Sequence, residues 1–207
     1  EFAGTAHLTG AAAIRSTGRY SADVFTLGFG SGLYTAGANI VTATISRTTT
    51  ALATAASTID AGGAVAVSAD SRAAAKTDAF NTSAGFAAFS EVMSNATVSG
   101  ATTAIVLGRI PASGSVTVAA TGQNRADAEA TVVSVGVGVT LGGVQVRGTV
   151  AESAVTLARL QSPATVFSAG AVGGSATTAV TAGDGNRATA EVVALSGGAI
   201  SGSMVIA

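Results

Sequence analysis

Apolar and polar residues alternate along most of the chain. In "RADAEATVVSVGVGV", 125–139, the polar Asp127, Glu129 and Thr131 alternate with alanines, which is the period of a strand with one buried face. The segments "SVTVAAT" and "VQVRGTV" alternate in the same way. Turn signals recur at "TGQN", "LGGV", "AVGG", "AGDGN" and "LSGG". The pattern predicts an all-β chain, although alanine alone favours helix.

The rarer residues reveal a repeat. Arg19, Arg72 and Arg125 stand 53 positions apart, and Arg187 follows after 62. The segment "ATISRTTTAL" is likewise followed, 53 positions on, by "ATVSGATTAI". A fixed period is the signature of a repeat architecture. We therefore treat 1–207 as a single elongated repeat domain. Its approximate units are 6–58, 59–109, 110–171 and 172–207, the last of them incomplete.

The fold that this pattern favours is a parallel β-solenoid, or β-helix. Like positions stack on like at about 4.8 Å in such a fold, and Ala, Gly, Ser, Thr and Val suit its narrow interior. A weak similarity between 116–130 and 144–158 favours two coils of about 26 residues in each unit. We therefore expect about eight coils, wound in a right-handed sense. A chain of antiparallel sandwich modules is the alternative, but it calls for larger core residues than this sequence offers.

Charged residues are sparse. They make up 10% of the chain, with a formal net charge of −1, against about 25% in ordinary globular domains. No basic stripe is present, so no nucleic-acid partner is expected. No run of about 18 apolar residues predicts a membrane span. The absence of cysteine excludes a disulfide framework and a thiolate zinc site.

The sequence predicts no catalytic, cofactor-binding or metal-binding residue. The one histidine, His7, has no nucleophile motif around it. The segment "GDGN" at 183–186 resembles a calcium-binding turn, but only Asp184 is acidic there and the motif does not recur. We prefer an Asp-Gly turn without metal, and calcium is the one cofactor alternative.

Two groups of side chains leave alternatives open. The arginines that mark the repeat are expected to be solvated charges on an outer face, and a ligand-binding charged row is the alternative. Five phenylalanines occupy corresponding regions of the first two units. We expect them to fill the core, and a stacked aromatic patch for carbohydrate is the alternative: Phe25, Phe29, Phe80, Phe86 and Phe89.

Two segments carry a resemblance to a known class of repeats. "VTVAATGQNRADAEA" at 116–130 and "NATVSGATTAIVLG" at 95–108 resemble the units of giant bacterial β-strand-repeat surface proteins, the adhesin-like exoproteins and autotransporter-type passenger domains. Such units often place an aromatic residue where this chain has Leu52 and Ile105. The Thr-Thr-Ala motif that precedes these two positions is missing from the third unit. The resemblance implies a β-solenoid stalk or adhesive surface on a bacterial cell, and no catalytic residues.

Together these observations favour a structural or adhesive segment that is not an enzyme. It would be extracellular or on the bacterial cell surface, acting as a rod-like stalk or a multivalent contact surface. The expected partners are neighbouring repeats, copies of itself, surface glycans, or the surface of a host or partner cell. The alternatives are a self-assembling extracellular filament subunit and a carbohydrate-binding or polysaccharide-acting β-helix.

Overall fold

The computed structural model describes residues 1–161, 163–166 and 177–206. Every regular element within these residues is a β-strand, so the all-β prediction is confirmed. The strands are β1 (Thr5–Leu8), β2 (Ala12–Ser46), β3 (Thr49–Ala53), β4 (Thr58–Ala61), β5 (Ala64–Ser99), β6 (Thr102–Val106), β7 (Arg109–Ala112), β8 (Ser115–Val150), β9 (Thr156–Leu160), β10 (Thr165–Val166), β11 (Thr177–Gly197) and β12 (Ile200–Ile206).

The strands form three sheets, and all the pairings among the described strands are parallel. The largest sheet has the order β11-β8-β5-β2, with β12 also paired to β8. The others have the orders β1-β4-β7-β10 and β3-β6-β9. Neighbouring strands in each sheet come from successive repeats. The described residues therefore stack in four layers, formed by β1 to β3, β4 to β6, β7 to β9 and β10 to β12, an arrangement compatible with a β-solenoid.

Each of the first three layers contains a whole repeat. Ala12 lies opposite Val65, Ala64 opposite Ser115, and Thr177 opposite Ser115 from the other side. No pairing among the described strands has the 26-residue offset of a half-repeat. The expectation of about eight coils is therefore wrong for this part of the chain, which has four layers. The segments 116–130 and 144–158 lie in one layer, and each contributes residues to the same buried cluster.

Each long strand folds back on itself within its layer. In β5 the hydroxyl of Ser94 donates to that of Thr77 at 2.8 Å, and the hydroxyls of Ser83 and Ser90 are 2.6 Å apart. These contacts bring the segment before Phe86 against the segment after it. The register with β8 also shifts between Gly85 and Ala87. The bend produces two facing walls, which we call the first wall (before the bend) and the second wall (after it).

Small side chains fill the space between the walls. One buried cluster joins alanines of the first walls to valines of the second walls, including Ala75, Ala128, Val92 and Val146. A second cluster lies where the short strands β3, β4, β6 and β7 pack against the beginnings of β5 and β8. Val92 is fully buried, and burial of such a side chain contributes about 1.5–3 kcal/mol. The inward residues recur at every second position, as the sequence pattern predicts.

The arginines that reveal the repeat are only partly in register. Arg19 lies opposite Arg72, and Arg125 lies opposite Arg187, as their spacing predicts. Arg72, however, lies opposite Gln123, and Arg125 lies opposite Ala74. The pairing register between the second and third layers therefore differs by two residues from the register that the 53-residue spacing predicts. A slip of two residues leaves every side chain on its original face, so it is compatible with the buried pattern.

Several glycine signals lie within strands. "TGQN" at 121–124 and "LGGV" at 141–144 both fall inside β8, and "GDGN" at 183–186 falls inside β11. The turn predictions at these places are wrong. At Gly122 an added Cβ would collide with the hydroxyl of Thr156, so this glycine permits close packing rather than a reversal of the chain.

Candidate functional site

The outer face of the first walls is the surface richest in chemical features. Because the layers are stacked in register, side chains at equivalent positions form columns that cross the layers. Going along the strands toward the bend, this face carries arginines, then a mixture of acids and bases, then apolar residues. We call these regions the arginine row, the charged band and the apolar band.

The arginine row has one member in each layer: Arg19, Arg72, Arg125 and Arg187. All four side chains are exposed, and they line a shallow groove of about 540 Å³. Small residues and amides complete the lining, with Ala73, Ala74, Gln123, Asn124 and Gly185 among them. Within the described residues, Arg125 is the one member of the row with a carboxylate partner: its Nε donates to Asp127.

The charged band connects the layers through polar contacts. Lys76 Nζ lies 3.9 Å from a carboxylate oxygen of Glu129 in the next layer. The hydroxyl of Thr189 donates to Asp127 from the layer beyond. Asp127 therefore receives one contact from Arg125 and one from Thr189, which explains why it is only 7% exposed on an outer face. Asp127 and Glu129 of this band therefore both have partners within the fold.

The apolar band corrects the expectation that phenylalanine fills the core. Its members are Leu27, Phe29, Phe80, Val133, Val193 and Leu195. Phe29 is 73% exposed, and its ring lies 6.5 Å from that of Phe80, tilted by 58°. Phe25, Phe86 and Phe89 are also exposed. The inward positions between the walls near the bend hold small residues such as Ala79 and Ser83, so the phenylalanines face outward.

A buried arginine forms a polar cluster that the sequence analysis does not predict. Arg47 is 7% exposed and donates to the hydroxyl of Thr102 at 3.2 Å and to the side-chain oxygen of Asn124. Its guanidinium carbon lies 5.6 Å from the centre of the Tyr20 ring. A signal for this site exists in the aligned repeats, since Arg47 of "SRTTT" corresponds to Gly100 of "SGATT". Buried charge of this kind is costly unless it is hydrogen-bonded.

The remaining candidate residues do not assemble into a reactive site. The exposed ring of His7 lies 3.2 Å from the carboxylate of Asp60 in the next layer. Among the described residues, no three His, Cys, Asp or Glu side chains are grouped closely enough to hold a metal ion. The calcium alternative depends on Asp184, whose side chain lies outside the described part of the structure.

Comparison with protein-family models, with curated proteins and with solved structures finds no match for this chain. The resemblance to bacterial surface repeats therefore stays a prediction. In the described residues there is no helix whose length and apolar character would let it cross a membrane.

Proposed function

We propose that this chain is a structural and adhesive segment of a bacterial surface or secreted repeat protein, and that it has no catalytic activity. The observation that supports the proposal is the in-register parallel stacking of four repeats. Stacking turns each outward side chain into a column, and a column of similar groups offers many weak contacts to a repetitive partner. Simultaneous weak contacts give avidity without a single tight site.

The dimensions fit a module of a longer stack. Layers about 4.8 Å apart make four layers about 19 Å tall, and a wall of about 17 residues is about 55 Å long. The described residues are therefore broader than they are tall, and the proposed stalk extends by adding further layers. The proposal includes right-handed winding, the usual sense of parallel strand connections. A cryo-electron microscopy map of the chain would test the winding directly.

An adhesion assay tests the proposed function. Beads coated with the chain should adhere to bacterial or host cells or to glycan-coated surfaces, and the soluble monomer should compete only weakly because it lacks the additional avidity of many chains on one bead. Polysaccharides incubated with the chain should keep their length. Release of new chain ends from a polysaccharide would show an enzyme instead, and beads that adhere to no cell and no glycan would contradict an adhesive role.

A second candidate function, a self-assembling filament subunit, is favoured by the open edges of the stack. In the described residues β2 pairs only with β5 in its sheet, and β11 only with β8. Long unpaired strands are templates for pairing with another chain. If the first layer of one copy pairs with the fourth layer of the next, the contact joins unlike surfaces and generates an open filament. Electron microscopy of concentrated protein distinguishes filaments from single particles.

A further inference from the structure

We infer that the arginine row is a binding site for the carboxylate groups of an acidic polysaccharide whose chain crosses the layers along the stacking axis. The inference rests on the proposed adhesive function and names the ligand class for one of its surfaces. It is carried by the placement of Arg19, Arg72, Arg125 and Arg187, one in each layer, around a single groove.

The row continues through all four layers despite the change of register. Arg19 and Arg72 are directly paired, and so are Arg125 and Arg187. The two pairs are displaced by two residues where the second layer meets the third. Because the displacement is even, all four side chains stay on the outer face. Neighbouring members are therefore about 5–8 Å apart along an oblique line.

The charges of the row are incompletely balanced by the protein. Asp127 accepts from Arg125. Within the described residues no carboxylate lies within ion-pair distance of Arg19, Arg72 or Arg187. Like charges this close repel one another, and a ligand with regularly spaced anionic groups would relieve that repulsion. The planar guanidinium is suited to this role because it binds a carboxylate through two parallel hydrogen bonds.

The floor of the groove is suited to sugars. The small, exposed Ala74 leaves room for a ring to approach, and the exposed amide of Gln123 is a donor and acceptor for hydroxyl groups. A polymer of uronic acids carries one carboxylate on each sugar, so its charges recur at every ring, as the arginines recur at every layer.

A nucleic acid fits this surface less well. Duplex DNA carries one charge per about 1.7 Å of its axis, whereas the row supplies one cation per layer of about 4.8 Å. The neighbouring charged band also places Asp23 and Glu129 beside the row on the same face. These carboxylates would repel the densely charged DNA backbone more strongly than a polysaccharide with one charge per sugar.

Calorimetric titration of the full chain with polygalacturonate tests the inference, with dextran as the neutral control. Polygalacturonate should bind, should bind more weakly at higher salt because exposed charges are screened, and dextran should not bind. Changing Arg19→Gln, Arg72→Gln and Arg187→Gln together should weaken binding about tenfold, the loss expected for three exposed ion pairs.

A matched variant separates the row from net charge. Arg109→Gln, Arg147→Gln and Arg159→Gln remove three exposed arginines from other surfaces and should change affinity less than about twofold, since their charges lie outside the row. Both variants should keep the circular dichroism spectrum of the parent. Equal losses in the two variants, or no binding of polygalacturonate, would overturn the inference.

Two further ligands test the assignment to carboxylate groups of a polysaccharide. Heparin presents mainly sulfate groups, and a single-stranded oligonucleotide presents phosphates. Tighter binding of either one than of polygalacturonate, per unit of charge, would overturn the assignment, and weaker binding of both supports it. If coated beads adhere to cells while polygalacturonate does not bind, this inference fails and the proposed function stands.

Discussion

The guanidinium of Arg47 donates a hydrogen bond to the side chain of Asn124, although these residues belong to the first and third layers and are 77 positions apart. The intervening layer has Ala73 in the column that joins Tyr20 to Asn124. The short alanine side chain leaves space through which the arginine reaches past one layer. Asn124 in turn donates to Asn186 of the fourth layer at 2.6 Å, so this polar chain connects the outermost layers.

Replacing Arg47 by methionine should destabilise the fold by about 2–4 kcal/mol. The change retains much of the apolar stem but leaves the buried oxygens of Thr102 and Asn124 without the donors that they have now, and an unsatisfied buried partner of a charged group costs this much. Urea unfolding followed by circular dichroism measures the loss. The exposed Arg109→Met is the control and should change stability by less than about 0.5 kcal/mol. Equal effects would show that the Arg47 cluster adds no stability.

Replacing Gly100 by alanine should destabilise the fold by at least about 2 kcal/mol. Gly100 has a φ of 103°, which residues with a Cβ rarely adopt, and the added Cβ would collide with the backbone carbonyl of Arg47. Thermal unfolding would show the effect as a lower Tm. Gly10→Ala is the matched control, because Gly10 has open space around it and should stay within about 0.5–1 kcal/mol. A Gly100→Ala chain as stable as the Gly10→Ala chain would contradict the geometry of this corner.

The strands are predictable from the sequence because a strand with one buried face has an apolar or small residue at every second position. Ala126 and Ala128 belong to the buried cluster between the walls, whereas Asp127 between them contacts Arg125 and Thr189 on the other face, as their alternation predicts. The repeat is also visible, since stacked layers place like residues in like surroundings: Ala43 lies opposite Ala96, and Leu52 opposite Ile105. These are local or nearest-layer relationships, which a sequence records well.

The layer length and the buried arginine depend on relationships that alternation does not record. Residues of 116–130 and 144–158 share a buried cluster within one layer, so their resemblance does not mark separate coils. Arg47 is accommodated by the short side chain of Ala73 in the next layer and by acceptors one and two layers away. The alternation also does not show that the phenylalanines face outward. The distance between the walls, which limits the size of inward side chains, depends on the bend and not on any single strand.

Replacing Ser83 by alanine should cost about 1 kcal/mol, and replacing it together with its partners should cost less than the sum of the single changes. The hydroxyls of Ser83, Ser90 and Ser134 lie 2.6–3.3 Å apart inside the bend. A single change leaves buried hydroxyls with fewer partners, whereas removing all three leaves no polar group unsatisfied. Urea unfolding of single, double and triple variants gives the coupling energy, for which about 0.5–1.5 kcal/mol is expected. Strict additivity would show that the three hydroxyls act independently.

Substitutions in the apolar band test the filament candidate. Extending the columns beyond the first layer would place Leu27 against Val193, and Phe29 against Leu195, of a second copy. Leu27→Lys with Phe29→Lys should therefore raise the protein concentration needed for assembly at least about tenfold, which corresponds to about 1.4 kcal/mol, because exposed lysines protect strand edges. Light scattering and electron microscopy measure assembly. Val135→Lys with Val137→Lys is the matched control, since it places the same two charges at exposed positions of an inner layer and should leave axial stacking intact. Equal assembly by both variants, or equal inhibition of both, would contradict end-to-end stacking through the first and fourth layers.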